Sequence, residues 1–377
     1  MNGTHQPTAT DMTSPLFLPV AELPKLLARL LELGYKVIAP TIDQEAIVYS
    51  EIQSVAELPR GWTDEQEPGH YRIRPTGNDR YFDYVVGPHS WKKYLFPPLQ
   101  LISRAISGED GWTFETCNDA PEKLAFLGVR ACELAAMKIQ DRVFLEGAYV
   151  DPGYQQRREG SFIIAVNCSV ASPNCFCTSM NSGPRCTTGF DLALTELDDG
   201  MLVEVGSLRG QDVIEPLSLQ AATTQHLKSA EDLYANTVRQ VSKHLNTDDL
   251  RNRLMSNLND GKWDSVAERC LSCTNCTMVC PTCFCSHVSE VPSLDETVVE
   301  RQRKWDSCFN LDFTAVHGTP VRNDVRSRYR QWLTHKLATW HDQFGESGCV
   351  GCGRCITWCP VGIDLTVEVN AICGGES

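Results

Sequence analysis

Twice the chain sets out the spacing C-x2-C-x2-C-x3-C-P, at Cys270, Cys273, Cys276, Cys280-Pro281 and at Cys349, Cys352, Cys355, Cys359-Pro360. Three thiols two residues apart can curl around one corner of an iron-sulfur cube, and the closing proline turns the chain away without leaving an unpaired N–H. The chemistry this suits is electron transfer through two [4Fe-4S] clusters. Structural zinc also takes four cysteines. Zinc sites, however, join two C-x2-C hairpins across a long loop, whereas each run here packs four cysteines into eleven residues and ends in C-P.

Where two such runs share a domain, the fourth cysteine of each ligates the other cluster. That pattern assigns Cys270, Cys273, Cys276 and Cys359 to one cube, and Cys349, Cys352, Cys355 and Cys280 to the second. It forces the runs together across the 68 residues that separate Cys280 from Cys349. The second half of this insertion places apolar residues at Val325, Tyr329, Trp332, Leu333, Leu337, Trp340 and Phe344, a 3.6-residue period that predicts a helix. Arg322, Arg326 and Arg330 fall on its other face. Residues 301–336 hold eight Lys or Arg, Lys336 among them, against three Asp. Cations near a thiolate-held cube raise its potential; a solvated helix face is the plainer alternative.

The remaining cysteines include two C-F-C elements, Cys175-Phe176-Cys177 and Cys283-Phe284-Cys285. Residues two apart on a strand share a face, but a metal needs both sulfurs drawn together with others, which calls for a bend. Turn formers flank the first element over residues 167–173 and 178–184. Cys132, Cys168, Cys175 and Cys177 are therefore candidates for a third cluster, with Cys186 as a substitute ligand. The competing reading is that they are small buried side chains. That reading is preferred for Cys283, Cys285, Cys308 and Cys373, although Cys283 and Cys285 follow a cluster ligand closely enough to shield or tune it. Cys117 has no such context.

The elements that must position these groups fall into two kinds. At 377 residues and 42% hydrophobic content, two or three packed domains are expected. Residues 1–15 read as a polar tail, 16–245 as an α/β (or α+β) domain, and 246–377 as a mostly helical ferredoxin-like domain. In the N-terminal domain helices are expected at Leu23 to Leu33, Cys132 to Leu145 and Ala221 to His244. Strands are expected at Lys36 to Ala39, Ala46 to Tyr49, Leu124 to Val129, Phe162 to Val166 and Met201 to Val205. The stretch Trp91, Lys92, Lys93, Tyr94 is a candidate docking surface or a solvated loop.

A net charge of −14 argues against nucleic acid as a partner. No stretch has the 18 or more apolar residues of a membrane span, and no apolar signal region follows Met1, so a cytoplasmic protein with reduced cysteines is expected. Neither G-x-G-x-x-G after a strand nor G-x4-G-K-[ST] occurs, so no nucleotide or flavin is expected on this chain. The terminals of an electron path then belong to partner subunits.

The stretches Gly128-Val-Arg-Ala-Cys132-Glu-Leu, Val166-Asn-Cys168, Cys175-Phe-Cys-Thr-Ser-Met180 and Gly348-Cys-Val-Gly-Cys-Gly-Arg-Cys-Ile-Thr-Trp-Cys-Pro-Val-Gly-Ile-Asp364 resemble the beta subunit of cytosolic sulfhydrogenases. So do Asp83-Tyr-Val-Val-Gly-Pro-His-Ser-Trp-Lys-Lys93 and Trp305-Asp-Ser-Cys-Phe309. The electron-transfer subunit of anaerobic sulfite reductase is similar through the same motifs. Sulfhydrogenases are multisubunit [NiFe] hydrogenases that exchange electrons between hydrogen and NAD(P)H. The resemblance implies a non-catalytic relay subunit. Its partners would be the small and large hydrogenase subunits together with a flavin- and NAD(P)H-binding subunit, or, in the sulfite reductase, a siroheme subunit.

Overall fold

The computed structural model describes residues 14–117, 122–217 and 219–374; of the expected N-terminal tail, residues 1–13 lie outside them. Its centre is an eight-stranded sheet. Four parallel strands, Lys36–Asp43, Leu124–Val129, Phe162–Val166 and Leu192–Glu196, form the middle. Ala46–Ile52 pairs antiparallel at one side, and Gly200–Val205, Leu16–Pro19 and Gln220–Ala221 continue antiparallel at the other. Leu124–Val129 and Phe162–Val166 are buried along their whole length. Their continuous apolar sequences suit strands covered on both faces.

Helices supply that cover. Leu23–Glu32 packs Leu23, Leu26, Leu27 and Leu30 against one face, a helical stripe that ends before Gly34 at φ +78°. Ala131–Phe144 lies against the other with Leu134, Met137 and Phe144. Thr224–Gln240 starts on a Thr223 cap, whose hydroxyl accepts from the His226 N–H at 3.2 Å.

The C-terminal part mixes helices with strands, so the expectation of a mostly helical unit gives way to a mixed one. Between the two cysteine runs, Ser286–Pro292 and Val298–Trp305 form a hairpin, and Val298–Trp305 pairs with Leu99–Gly108, which pairs with Gly111–Thr116. One sheet thus draws strands from both halves of the chain. These strands carry polar residues on both faces and leave no clean alternation to read. The periodic stretch after Val325 is helical as expected, in three pieces: α-helix Val325–Thr334, a π-helical turn His335–Thr339, and α-helix Trp340–Phe344. It buries Tyr329, Trp332, Leu333, Leu337 and Trp340 against Leu254, Trp263 and other parts of the fold.

The aromatic and basic stretch at Trp91 is not a surface. Trp91 is buried, stacks on Tyr49 with ring centres 4.0 Å apart and donates to Glu133 at 2.8 Å. Lys92 is buried too, its ammonium 3.8 Å from the Trp305 ring centre. Alternating charge and aromaticity suggested exposure; the aromatic rings carry the segment inward and the ammonium follows to backbone carbonyls and a ring.

Candidate iron-sulfur centres

The two cysteine runs share one backbone. In the first, Ser272 and Thr274 have φ of +51° and +69°; at the matching positions of the second, Gly351 and Gly353 have +62° and +76°. Each run then enters a single helical turn, Asn275–Met278 or Arg354–Thr357. The left-handed residues turn backbone donors toward sulfur: Ser272 N–H lies 3.4 Å from Cys270 Sγ, and Gly351 N–H 3.5 Å from Cys349 Sγ.

Glycine is required in the second run by what lies behind it. A Cβ on Gly351 would stand 2.6 Å from the Phe176 carbonyl, and one on Gly353 2.6 Å from that of Asn174. The loop carrying Cys175 and Cys177 presses on this run, with Phe176 N–H donating to Gly351 O at 2.9 Å. On another side, the hairpin Trp62–Glu67 and His70–Pro75 supports it. Gly69 N–H donates to Ile356 O at 3.1 Å, and Thr357 Oγ1 to Gln66 Oε1 at 2.8 Å.

Cys270, Cys273, Cys276 and Cys359 line one hollow together with Cys355, Phe309, Tyr329 and Trp332. Tyr329 OH and Trp332 Nε1 have no hydrogen-bond partner among the described residues. Sulfide acceptors in this hollow would suit such donors. Cys280 lies near Cys349, Cys352 and Cys355, whose thiols each feel its charge. Burial pushes Cys276 and Cys355 well above the ordinary thiol range, and Cys349 up to about 12, with neighbouring sulfurs adding to the shift. Such crowded thiols deprotonate together only against a compensating positive charge, which iron supplies. Cys280 goes the other way. A hydrogen bond from Cys283 and the Lys336 ammonium hold it well below the usual thiol value despite burial.

The second cysteine group gathers as well. Cys132 lies in the first turn of the helix after Leu124–Val129, and Cys168 just beyond Phe162–Val166, so both sit past the carboxyl ends of parallel strands. Together with Cys175, Cys177 and Cys352 of the second run they line one hollow, along with Arg130. Cys177 is pushed up to about 12 by burial and the neighbouring Cys168. Cys186 is not on this hollow; its N–H donates to Asn167 Oδ1 at 2.6 Å, which holds it in the wall behind. Cys285 and Cys308 contact each other, and Cys117 and Cys373 join neither group. Among the described residues, no three His, Cys, Asp or Glu side chains close tightly enough to hold a single metal ion. In a cube each thiolate binds a different iron, so its ligands stand farther apart.

A buried ion pair ties the second run to the sheet domain. Arg354, between Cys352 and Cys355, donates to Glu133 at 2.5 Å, and neither side chain reaches solvent. Glu133 also accepts from Tyr49 OH, Trp91 Nε1 and Arg130 N–H. The cysteine patterns gave no sign of this pair.

Sulfur-lined hollows on a duplicated backbone define an iron-sulfur protein of the dicluster class. Residues 269–363 match the family model described as a 4Fe-4S dicluster domain. Over 352 residues, 90% of this chain and 93% of the relative, the chain is 30% identical to sulfhydrogenase 2 subunit beta of Pyrococcus furiosus. It belongs to the family of sulfhydrogenase beta subunits and is an iron-sulfur electron-transfer subunit. No solved structure matches it. Among the described residues, no helix is long and apolar enough to cross a membrane.

Proposed function

We propose that this chain is the electron relay of a cytoplasmic, NAD(P)H-linked [NiFe] hydrogenase complex of the sulfhydrogenase type, exchanging electrons with a flavin-bearing subunit on one side and the hydrogenase subunits on the other. Bound [4Fe-4S] clusters supply one-electron transfer. Cys270, Cys273, Cys276 and Cys359 hold the first, and Cys349, Cys352, Cys355 and Cys280 the second. Cys132, Cys168, Cys175 and Cys177 hold a third. Residues 16–245 form the sheet domain around that third site, and residues 246–377 the two-cluster domain.

One observation carries this reading: the second run is shared. Cys355 lines the hollow of the first group and Cys352 lines that of the N-terminal group. The three sites are therefore adjacent, in the order first, second, third, and an electron can cross the chain without a long gap. The ends of such a path are left to partners, in keeping with a relative named as one subunit of a hydrogenase. The test is anaerobic purification of the complex with nickel, iron and acid-labile sulfide measured. Nickel with a reducible [4Fe-4S] signal supports the proposal; siroheme in place of nickel moves the chain to a sulfite reductase; a colourless, redox-silent chain refutes the relay.

A further inference from the structure

Lys336 occupies the apolar stripe of the last long helix, one turn from both Trp332 and Trp340, and is buried. Its ammonium donates to Cys280 Sγ at 3.3 Å, Thr282 Oγ1 at 2.9 Å and Gly348 O at 3.3 Å. Its own carbonyl accepts from Gly348 N–H at 2.8 Å, so both ends of the residue grip the start of the second run. Among the described residues no carboxylate pairs with it. A buried ammonium needs a counter-charge, and what faces it here is the sulfur of Cys280. Among the described residues no cation hydrogen-bonds a sulfur of the first run: Arg328 reaches Ser272 Oγ at 3.3 Å, Arg269, though near Cys359, is bonded to Glu368 at 2.7 Å, and Cys273 is exposed to solvent.

Resting on the ligand sets proposed above, we infer that Lys336 sets the reduction potential of the cluster held by Cys349, Cys352, Cys355 and Cys280, through its hydrogen bond to the Cys280 sulfur. Reduction adds one electron to a group that is already negative. A fixed positive charge at hydrogen-bond distance, screened little in the interior, favours the reduced form. Lys336 itself neither gains nor loses a proton in the step. The second cluster therefore holds an electron more readily than the first, and the middle of the relay is where a single electron rests.

The test is a redox titration of the anaerobic full-length chain, followed by EPR, for the wild type, Lys336→Met and Lys336→Arg. In Lys336→Met one cluster's oxidised-to-reduced ratio at fixed potential should rise at least tenfold, which is 59 mV for a one-electron couple. The other signals should stay in place, and Lys336→Arg should recover most of the shift. Unmoved midpoints in a Lys336→Met chain that keeps its iron, or equal movement of every cluster, would overturn the inference. Should Lys336→Met lose iron, a Lys92→Met chain labelled with 15N-lysine, which removes the other ammonium near Cys280, decides the matter: the reduced second cluster must show nitrogen hyperfine coupling, and its absence refutes the contact. Cys280→Ser separates the two levels of argument. If it leaves the second cluster's signal unaltered, the ligand set is wrong; if it alters that signal while Lys336→Met shifts nothing, only the role of the lysine is wrong.

Discussion

Glu133→Ala should loosen the joint between the sheet domain and the second cysteine run. Glu133 and Arg354 are 1% and 0% exposed, and their contact is 2.5 Å long. Removing the carboxylate leaves a guanidinium inside the protein, held by the carbonyls of Gly87 and His89, both at 3.0 Å, and by the neighbouring Cys352 sulfur. Breaking a buried pair from one side costs about 3–5 kcal/mol. The indole of Trp91 and the hydroxyl of Tyr49 lose their acceptor in the same step. Amide hydrogen exchange in the helix Ala131–Phe144 reads the effect, since at ~1.4 kcal/mol per decade the lower bound already predicts a roughly hundredfold rise in exchange rate. Glu133→Gln keeps an acceptor for Tyr49 and Trp91 but not the charge, and should fall between the wild type and Glu133→Ala. The double variant Glu133→Met with Arg354→Met removes both charges and should be less damaged than Glu133→Ala, because no uncompensated ion remains. A rise of less than about fivefold in Glu133→Ala, or a double variant worse than Glu133→Ala, would refute the reasoning.

Iron analysis should find about 12 Fe per chain when all three sites are filled, and about 8 when only the two runs bind; Cys168→Ser or Cys175→Ser should lower the count by about 4, whereas Cys186→Ser should leave it unchanged. Gly351→Ala drives a methyl to 2.6 Å from the Phe176 carbonyl at a φ of +62°, so it should strip iron from the second run and the Cys175 loop together. Gly77→Ala, at φ +77° with nothing within 4 Å, should cost about 1–2 kcal/mol and no iron. Burial raises the Asp64 carboxyl to about 6 against hydrogen bonds from Val85 and Gln66. The protonated form is thus the one the fold favours; its contribution is full below the ordinary carboxylate range and is lost as pH rises through about 6. Measured against Asp64→Asn at each pH, the melting temperature of the wild type should decline from pH 4 to pH 6 and then level off, and a constant difference would refute the assignment.

How far these groups could be read from sequence depends on whether their signal is local. Leu124–Val129 and Phe162–Val166 were legible to the residue because a strand covered on both faces is apolar throughout. The helical stripe after Val325 was legible from its 3.6-residue apolar period, although its π-helical turn was not, since a one-residue widening leaves the period almost intact. The shared sheet joining Leu99–Gly108 to Val298–Trp305 escaped, because half-exposed strands with arginine and glutamate on both faces do not alternate. Among the cysteines, eight declared themselves by spacing. Cys132, Cys168, Cys175 and Cys177 come from a helix start, a strand end and a loop, so their convergence is a property of the sheet and not of any one segment. Lys92 looked like surface charge, and Lys336 stood between tuning a cluster and a solvated helix face, since sequence does not separate a lysine that snorkels outward from one aimed at a sulfur.

The duplicated cysteine run is a repeat in backbone and a contrast in surroundings. The same left-handed turns are made by serine and threonine in the first run and by glycines in the second. The first tolerates side chains because it faces outward, with Cys273 and Leu271 exposed. The second cannot, because the Cys175 loop, the hairpin ending at Gly69 and the Arg354–Glu133 pair close around it. An exposed cluster edge suits exchange with a partner protein, while an enclosed one bearing a buried ammonium suits retention of charge between exchanges. Duplication supplies two equivalent backbones; on the proposed relay, the packing around each would make one a point of entry and the other a point of rest.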